Sequence, residues 1–197
     1  MNQPAEERTL NDLIAVLEED VDRCYDNLRD ATDAHKSDPE LSIGIDFESR
    51  QLIRAVFAYL EGLTFAIKIR AVQHSVQKRD LVSQAEADFA LEVDHQITDK
   101  GEIVERPALI NLSRNIRFAF RLYEKVFDHK PKFDANARWW DYLQRSIKVR
   151  DRLTHPRNPE DLDVVASEVI EALEVRRGFR ELLDEYIADE HARPTSG

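Results

Sequence analysis

Apolar residues recur along most of the chain at alternating spacings of three and four, the period of a helix lying along another helix. Leu10, Ile14, Leu17, Val21, Cys24 and Leu28 form the first such seam. Thr9 with Asp12 resembles a capping box before it. The helix is predicted to reach about His35, where Lys36-Ser37-Asp38-Pro39 breaks it. Leu52, Val56, Leu60, Leu63 and Ile67 make the stripe of a second helix, from near Asp46 to about Gln77. Ser83 with Glu86 is a second capping-box match, opening a short helix with Phe89, Leu91 and Val93. The pattern then changes. Gln96-Ile97-Thr98 and Glu102-Ile103-Val104-Glu105 flank Asp99-Lys100-Gly101, a three-residue hairpin loop with glycine where a positive φ is wanted. After Pro107, the residues Leu112, Ile116, Ala119, Tyr123 and Val126 predict a third long helix, closed by Pro131. Asp134 is the expected cap of the next helix, which carries Trp139, Trp140, Leu143 and Ile147. That helix must stop at or just before His155, because Pro156 disfavours the helical conformation in the residue before it. Asn158-Pro159 reads as cap and first residue of a last helix to about Asp189, with Leu162, Val165, Val169, Leu173, Leu183, Tyr186 and Ile187 inward.

About five long helices, one short helix and a small hairpin near 96–105 follow from this pattern. Short connections make neighbouring helices antiparallel, so the expected fold class is all-α, an up-down helical bundle with a β-hairpin insertion. One domain over residues 1–191 is expected, with a disordered tail at 192–197. The seam on the first helix also suits a dimer interface.

Composition narrows the class. The chain has 197 residues, the size of one domain, and only five glycines, which disfavours a turn-rich all-β fold. A single cysteine, Cys24, excludes an intrachain disulfide and a Cys-pair metal site. The start of the chain is polar and no apolar run approaches a membrane span, so a cytoplasmic protein with no membrane partner is expected. The net charge of −11 argues against a nonspecific nucleic-acid coat. The average conceals a basic strip: Arg138, Arg145, Lys148, Arg150, Arg152 and Arg157 face only Asp141 and Asp151 over residues 138–157. Such a strip is either a solvated helix face or a local polyanion site.

Few residues qualify for chemistry. Arg54, Glu61 and Lys68 recur every seven residues on one helix face, where Glu61 can pair with both bases. They form either a surface ion-pair row or a buried polar cluster beside a site. Glu92-Val93-Asp94-His95 has the Glu-x-x-His spacing of half a di-iron site, but no second copy exists, so no metal is expected. Cys24 occupies a seam position, where thiols pack rather than react. No phosphate-binding glycine loop or dinucleotide pattern is present, and no cofactor is expected. What remains is Arg150-Asp151-Arg152-Leu153-Thr154-His155-Pro156. Residues five apart on a helix stand about 140° from each other. If the helix ends near Thr154, His155 is free to swing back beside Arg150. Arginine supplies a fixed, permanently charged fork suited to phosphate. Histidine supplies proton exchange near neutral pH. Phosphodiester cleavage needs both. Asp151 would hold the imidazole tautomer or orient Arg150. The plainer reading is a histidine that merely caps a helix C-terminus.

These residues resemble the HEPN superfamily, helical-bundle proteins marked by an Arg, a polar residue, a few further residues and a His at the end of a late helix. Arg150-Asp151-Arg152-Leu153-Thr154-His155 fits, with Pro156 following as is common there. Tyr59 to Lys68 and Asn115 to Phe120 add to the likeness, which spans about residues 45–190 and is similar to a group of uncharacterised bacterial members. The resemblance implies a metal-independent endoribonuclease whose two protomers bring their motifs into one cleft and leave a 2′,3′-cyclic phosphate. Carried over, Arg150 stabilises the phosphorane, His155 transfers protons, Asp151 orients them, and Lys148, Arg152 and Arg157 meet RNA. It also implies a homodimer, and a toxin or phage-defence role with an antitoxin or operon-encoded partner. Toxin-like members often carry tyrosine two residues after the histidine, where this chain has Arg157. Other members are noncatalytic interaction or nucleotide-sensing modules, and that alternative stands beside the enzyme.

Overall fold

The computed structural model describes residues 5–38, 43–77 and 81–192. The elements are α1 (Ala5–Ser37), α2 (Ile43–Gln77), α3 (Gln84–Ala90), β1 (Val93–Ile97), β2 (Ile103–Pro107), α4 (Leu112–Phe127), α5 (Arg138–Thr154), a 3₁₀ turn (Pro159–Leu162) and α6 (Ala166–Ala192). The fold class is all-α with one small antiparallel hairpin. The contacts divide the chain into two compact units: residues 1–62 with 134–181, and residues 63–133 with 182–197.

The first unit is built from α1, the front of α2, α5 and the front of α6. Its contacts show how they run. Leu17 and Ala31 of α1 lie against Gly62 and Gly44 of α2. Arg54 and Glu61 of α2 meet Leu153 and Arg150 of α5. Trp139, Arg145 and Arg152 of α5 meet Gly178, Glu171 and Glu168 of α6. Arg176 and Arg180 of α6 pair with Asp22 and Glu18 of α1. In each pair the numbers ascend on one helix as they descend on the other. Four helices therefore close a ring in which every neighbour is antiparallel. Val21, Leu52, Ile53, Val56, Leu60, Leu143, Val175 and Phe179 are buried inside it. Tyr59 meets Phe179 edge-on, with ring centroids 6.3 Å apart. Gly178 is required by close approach, since a Cβ there would sit 2.5 Å from Cβ of Trp139. Ile14 and Val21 of the α1 seam are buried and Leu17 packs on Gly62, so this stretch of the seam is used within the chain.

The second unit packs the back of α2 and the end of α6 with α3, α4 and the hairpin. Ala71, Ala90, Leu122 and Val126 form one core cluster, flanked by Val72, Val82, Phe118 and Phe127. Tyr186 stacks on Phe120 at 5.6 Å and donates its buried hydroxyl hydrogen bond to Glu124. Burial and that carboxylate push its phenol well above the ordinary range.

Several boundaries differ from expectation for local reasons. α1 begins at Ala5, so Thr9 lies inside the helix and is not its cap. The Ser83–Glu86 capping box forms, but α3 stops at Ala90, because Glu92 turns into the left-handed region at φ 58° and Val93 starts β1. The hairpin is longer than expected, with Val93 to Ile97 opposite Pro107 to Ile103, and Gly101 takes the required positive φ of 79°. α4 ends on left-handed Asp128, before Pro131. Asp134 does not cap α5, which begins after Ala137 without a side-chain cap; its carboxylate accepts instead from the Asn136 amide at 2.8 Å. Asn158 caps only the 3₁₀ turn, and α6 starts later, leaving Val165 58% exposed rather than inward. The tail beyond Ala192 lies outside the described residues.

Candidate functional site

The helix end at residues 150–156 is built by local rules. α5 closes on His155, whose φ of −127° and ψ of 59° leave the helical region as the following proline demands. Its backbone N–H still donates to the Asp151 carbonyl at 3.0 Å. The Thr154 hydroxyl donates to the Arg150 carbonyl at 2.8 Å, closing the last turn. The imidazole of His155 is exposed and makes no hydrogen bond among the described residues.

Arg150 is held from two sides. Its Nη2 donates to a Glu61 carboxylate oxygen on α2, and its Nη1 to Asp151 Oδ1 at 3.1 Å. The side chain is 35% exposed and that of Glu61 is 43% exposed. The guanidinium is thus oriented by two carboxylates at the edge of the first unit with part of its fork open to solvent. Of the two partners expected for Asp151, the contact seen is with Arg150.

The basic strip does not survive as a set. Arg152 is structural. It donates to the Asp161 carbonyl at 2.7 Å, the Asp163 carbonyl at 2.5 Å and Glu168 Oε2 at 2.6 Å, stapling the loop between α5 and α6. Arg145 is spent on Glu171. Lys148 and Arg157 are exposed and have no ion pair among the described residues. The backbone N–H of Arg157 donates to Asp161 Oδ2 at 2.7 Å, which holds the chain just past Pro156.

The seven-residue row on α2 separates. Arg54 donates to the Leu153 carbonyl at 3.2 Å, satisfying the last turn of α5. Glu61 pairs with Arg150, not with Arg54 or Lys68. Lys68 belongs to the second unit, where its fully buried ammonium donates to Glu92 Oε1 at 2.7 Å. Burial pulls its pKa down, against the opposing pull of Glu92. The common face was legible, but a shared face does not make a shared partner once other elements pack on it. The Glu61–Arg150 pair joins residues 89 apart, and no sequence signal announces it.

The other candidates fall away on geometry. Glu92 is no longer helical, so Glu92 and His95 cannot share a helix face as a half-site. Among the described residues no group of three His, Cys, Asp or Glu side chains could hold a metal ion. Burial pushes the Cys24 thiol up, away from thiolate chemistry. No helix among the described residues is long and apolar enough to cross a membrane. No protein-family model, curated protein or solved structure matches the chain.

Proposed function

We propose that this chain is a metal-independent endoribonuclease of HEPN type, acting as a homodimer with two Arg150–His155 motifs in one RNA cleft. The observation that carries the reading is the pre-set Arg150: a guanidinium fixed by Glu61 and Asp151 on the helix that ends at the exposed His155. A fork whose orientation is settled before substrate arrives stabilises developing phosphorane charge without reorganisation. The RNA 2′-hydroxyl attacks the adjacent phosphorus and its proton passes to one imidazole. The bond from phosphorus to the 5′ oxygen breaks, and the departing oxygen takes a proton from the other imidazole. The products are a 2′,3′-cyclic phosphate and a 5′-hydroxyl. Lys148 and Arg157, exposed cations of the strip without a carboxylate partner among the described residues, supply phosphate contacts. The resemblance further implies a toxin or phage-defence role with an antitoxin or operon-encoded partner. A single cysteine suits a reducing, cytoplasmic setting.

One observation favours a second reading, a noncatalytic interaction or nucleotide-sensing module. Two carboxylates already neutralise Arg150, and a phosphate must compete with them. Cleavage of single-stranded RNA in excess chelator separates the two. The enzyme reading expects wild-type cleavage with cyclic phosphate ends, and its loss in both His155→Ala and Arg150→Ala at unchanged helicity. No cleavage by the wild type, or cleavage persisting in both variants, sinks the enzyme reading; nucleotide binding lost in Arg150→Ala then supports the module.

A further inference from the structure

The hairpin joins a costly base to an uncovered arm. At the base, Glu92 adopts a left-handed backbone that glycine would take more cheaply. Its carboxylate accepts from Lys68 Nζ of α2 at 2.7 Å and from Asn115 Nδ2 of α4 at 3.0 Å. Its carbonyl accepts from Ala108 N at 2.7 Å and closes the mouth of the hairpin. Strain of this kind persists only where the surroundings over-determine it. Yet the arm held this way buries almost nothing. Ile97 and Ile103, opposite each other in the register, are 77% and 72% exposed. An isolated two-stranded hairpin is marginal in water, and an exposed apolar strand edge is a template for another strand.

We propose that the hairpin is a self-association arm, with β1 of one chain pairing antiparallel to β1 of a second copy about a two-fold axis at His95. Register and hydrogen bonding select this edge. The bonds from Thr98 N to Glu102 O and from Ala108 N to Glu92 O set which residues face across the hairpin. By alternation, Val93, His95 and Ile97 direct their backbone groups away from β2. Centring on His95 places Val93 opposite the partner's Ile97. On one face the rows then read Pro107, Val93, the partner's Ile97 and the partner's Ile103, and the same in reverse. Between them runs Glu105, His95, the partner's His95 and the partner's Glu105, each His95 standing opposite the Glu105 of its own hairpin while its ring meets Asp88 Oδ2 at 3.3 Å. The β2 edge offers no such match. Pro107 lacks an N–H, and a two-fold there sets Glu105 against Glu105. In the single chain the Asp94 carboxylate accepts from His95 N at 2.9 Å, and the pairing replaces that local bond with an inter-strand one. The contact lies wholly in the hairpin and does not rest on the ribonuclease reading.

The test is oligomeric state together with cross-linking, on the full chain. In sedimentation equilibrium wild type is expected to double in mass as concentration rises, from one 22.9 kDa chain to two or, where the cleft dimer has formed, from two chains to four. His95→Pro removes the outward N–H, together with the imidazole and its contact to Asp88, and is expected to lose this doubling, whereas Glu105→Pro on the opposite edge keeps it. In a Cys24→Ser background, His95→Cys is expected to form disulfide-linked dimers, since directly opposed bonded residues have Cα atoms about 5.5 Å apart, within disulfide reach. Ile97→Cys is not, because two copies of that position stand about 13 Å apart along the strands. If His95→Pro loses helicity, the cysteine pair decides. A wild type that shows no doubling at any concentration, a doubling that survives His95→Pro with the fold intact, or equal cross-linking at 95 and 97 overturns the proposal.

Discussion

Glu61 on α2 and Arg150 on α5 form a charge-assisted hydrogen bond that sets the direction of the arginine fork beside the end of α5. With half-exposed partners, the pair contributes about 0.5 kcal/mol to stability. Its value to the proposed chemistry is orientation. Glu61→Gln should therefore leave the melting temperature nearly unchanged while lowering single-turnover RNA cleavage about tenfold, ~1.4 kcal/mol of barrier. A rate that rises would identify Glu61 as a competitor of phosphate.

Arg152 and Lys148 should separate structure from binding. Arg152→Ala deprives two carbonyls and Glu168 of their donor and should destabilise the fold by about 2 kcal/mol in urea titrations. RNA affinity of the folded fraction should not change. Lys148→Ala should do the reverse: no loss of stability, weaker RNA binding, and a salt slope shallower by about 0.7 for a single strand.

Lys68 with Glu92 tests the anchor of the hairpin. Lys68 is wholly buried, whereas Glu92 retains 38% side-chain exposure. Glu92→Ala strands the ammonium and should cost about 2 kcal/mol, discounted from the full buried value because water reaches the carboxylate. Lys68→Met removes the charge and keeps the bulk, leaving Glu92 able to reach water, and should cost under about 1 kcal/mol. Denaturant midpoints of the two variants give the ranking, and equal losses would count against a desolvation account.

Glu86 gives a pH dependence of known sign. Lys125, donating at 2.7 Å, and the Ser83 backbone N–H at 2.8 Å hold its carboxyl down at about 2. A carboxylate more acidic in the folded chain than in the unfolded one stabilises above the unfolded value, and that contribution fades as pH falls toward the folded one. Glu86→Gln should then cost about 1 kcal/mol at pH 7 after allowing for screening. The difference from wild type should shrink between about pH 4.5 and pH 2. A difference that stays constant across that window would mean the capping geometry, not the charge, carries the effect.

Local rules were legible wherever a few neighbouring residues decide the outcome. The Ser83–Glu86 capping box, the positive φ at Gly101 and the stop of α5 at His155 before Pro156 each depend on sterics or hydrogen bonds within a turn. The misses came where neighbours compete. Thr9 matched a cap, but favourable helix continued upstream of it. Asp134 had the chemistry of a cap and spent it on the Asn136 amide. Asn158 did cap, but for one 3₁₀ turn, after which the chain extends before α6 starts.

The candidate site divides along the same line. That an arginine and a histidine would stand at the end of one helix, that this helix would end there, and that the chain would be helical almost throughout were all determined by sequence, because periodicity, proline sterics and capping act over a few residues. Only the tertiary structure decided that Arg150 answers to Glu61, that Arg152 is consumed by two carbonyls and Glu168, and that Lys68 leaves the Arg54–Glu61 row for Glu92. An ion pair forms with whatever opposite charge packing brings within reach, and along this chain those partners are as far apart as the 162 residues between Glu18 and Arg180.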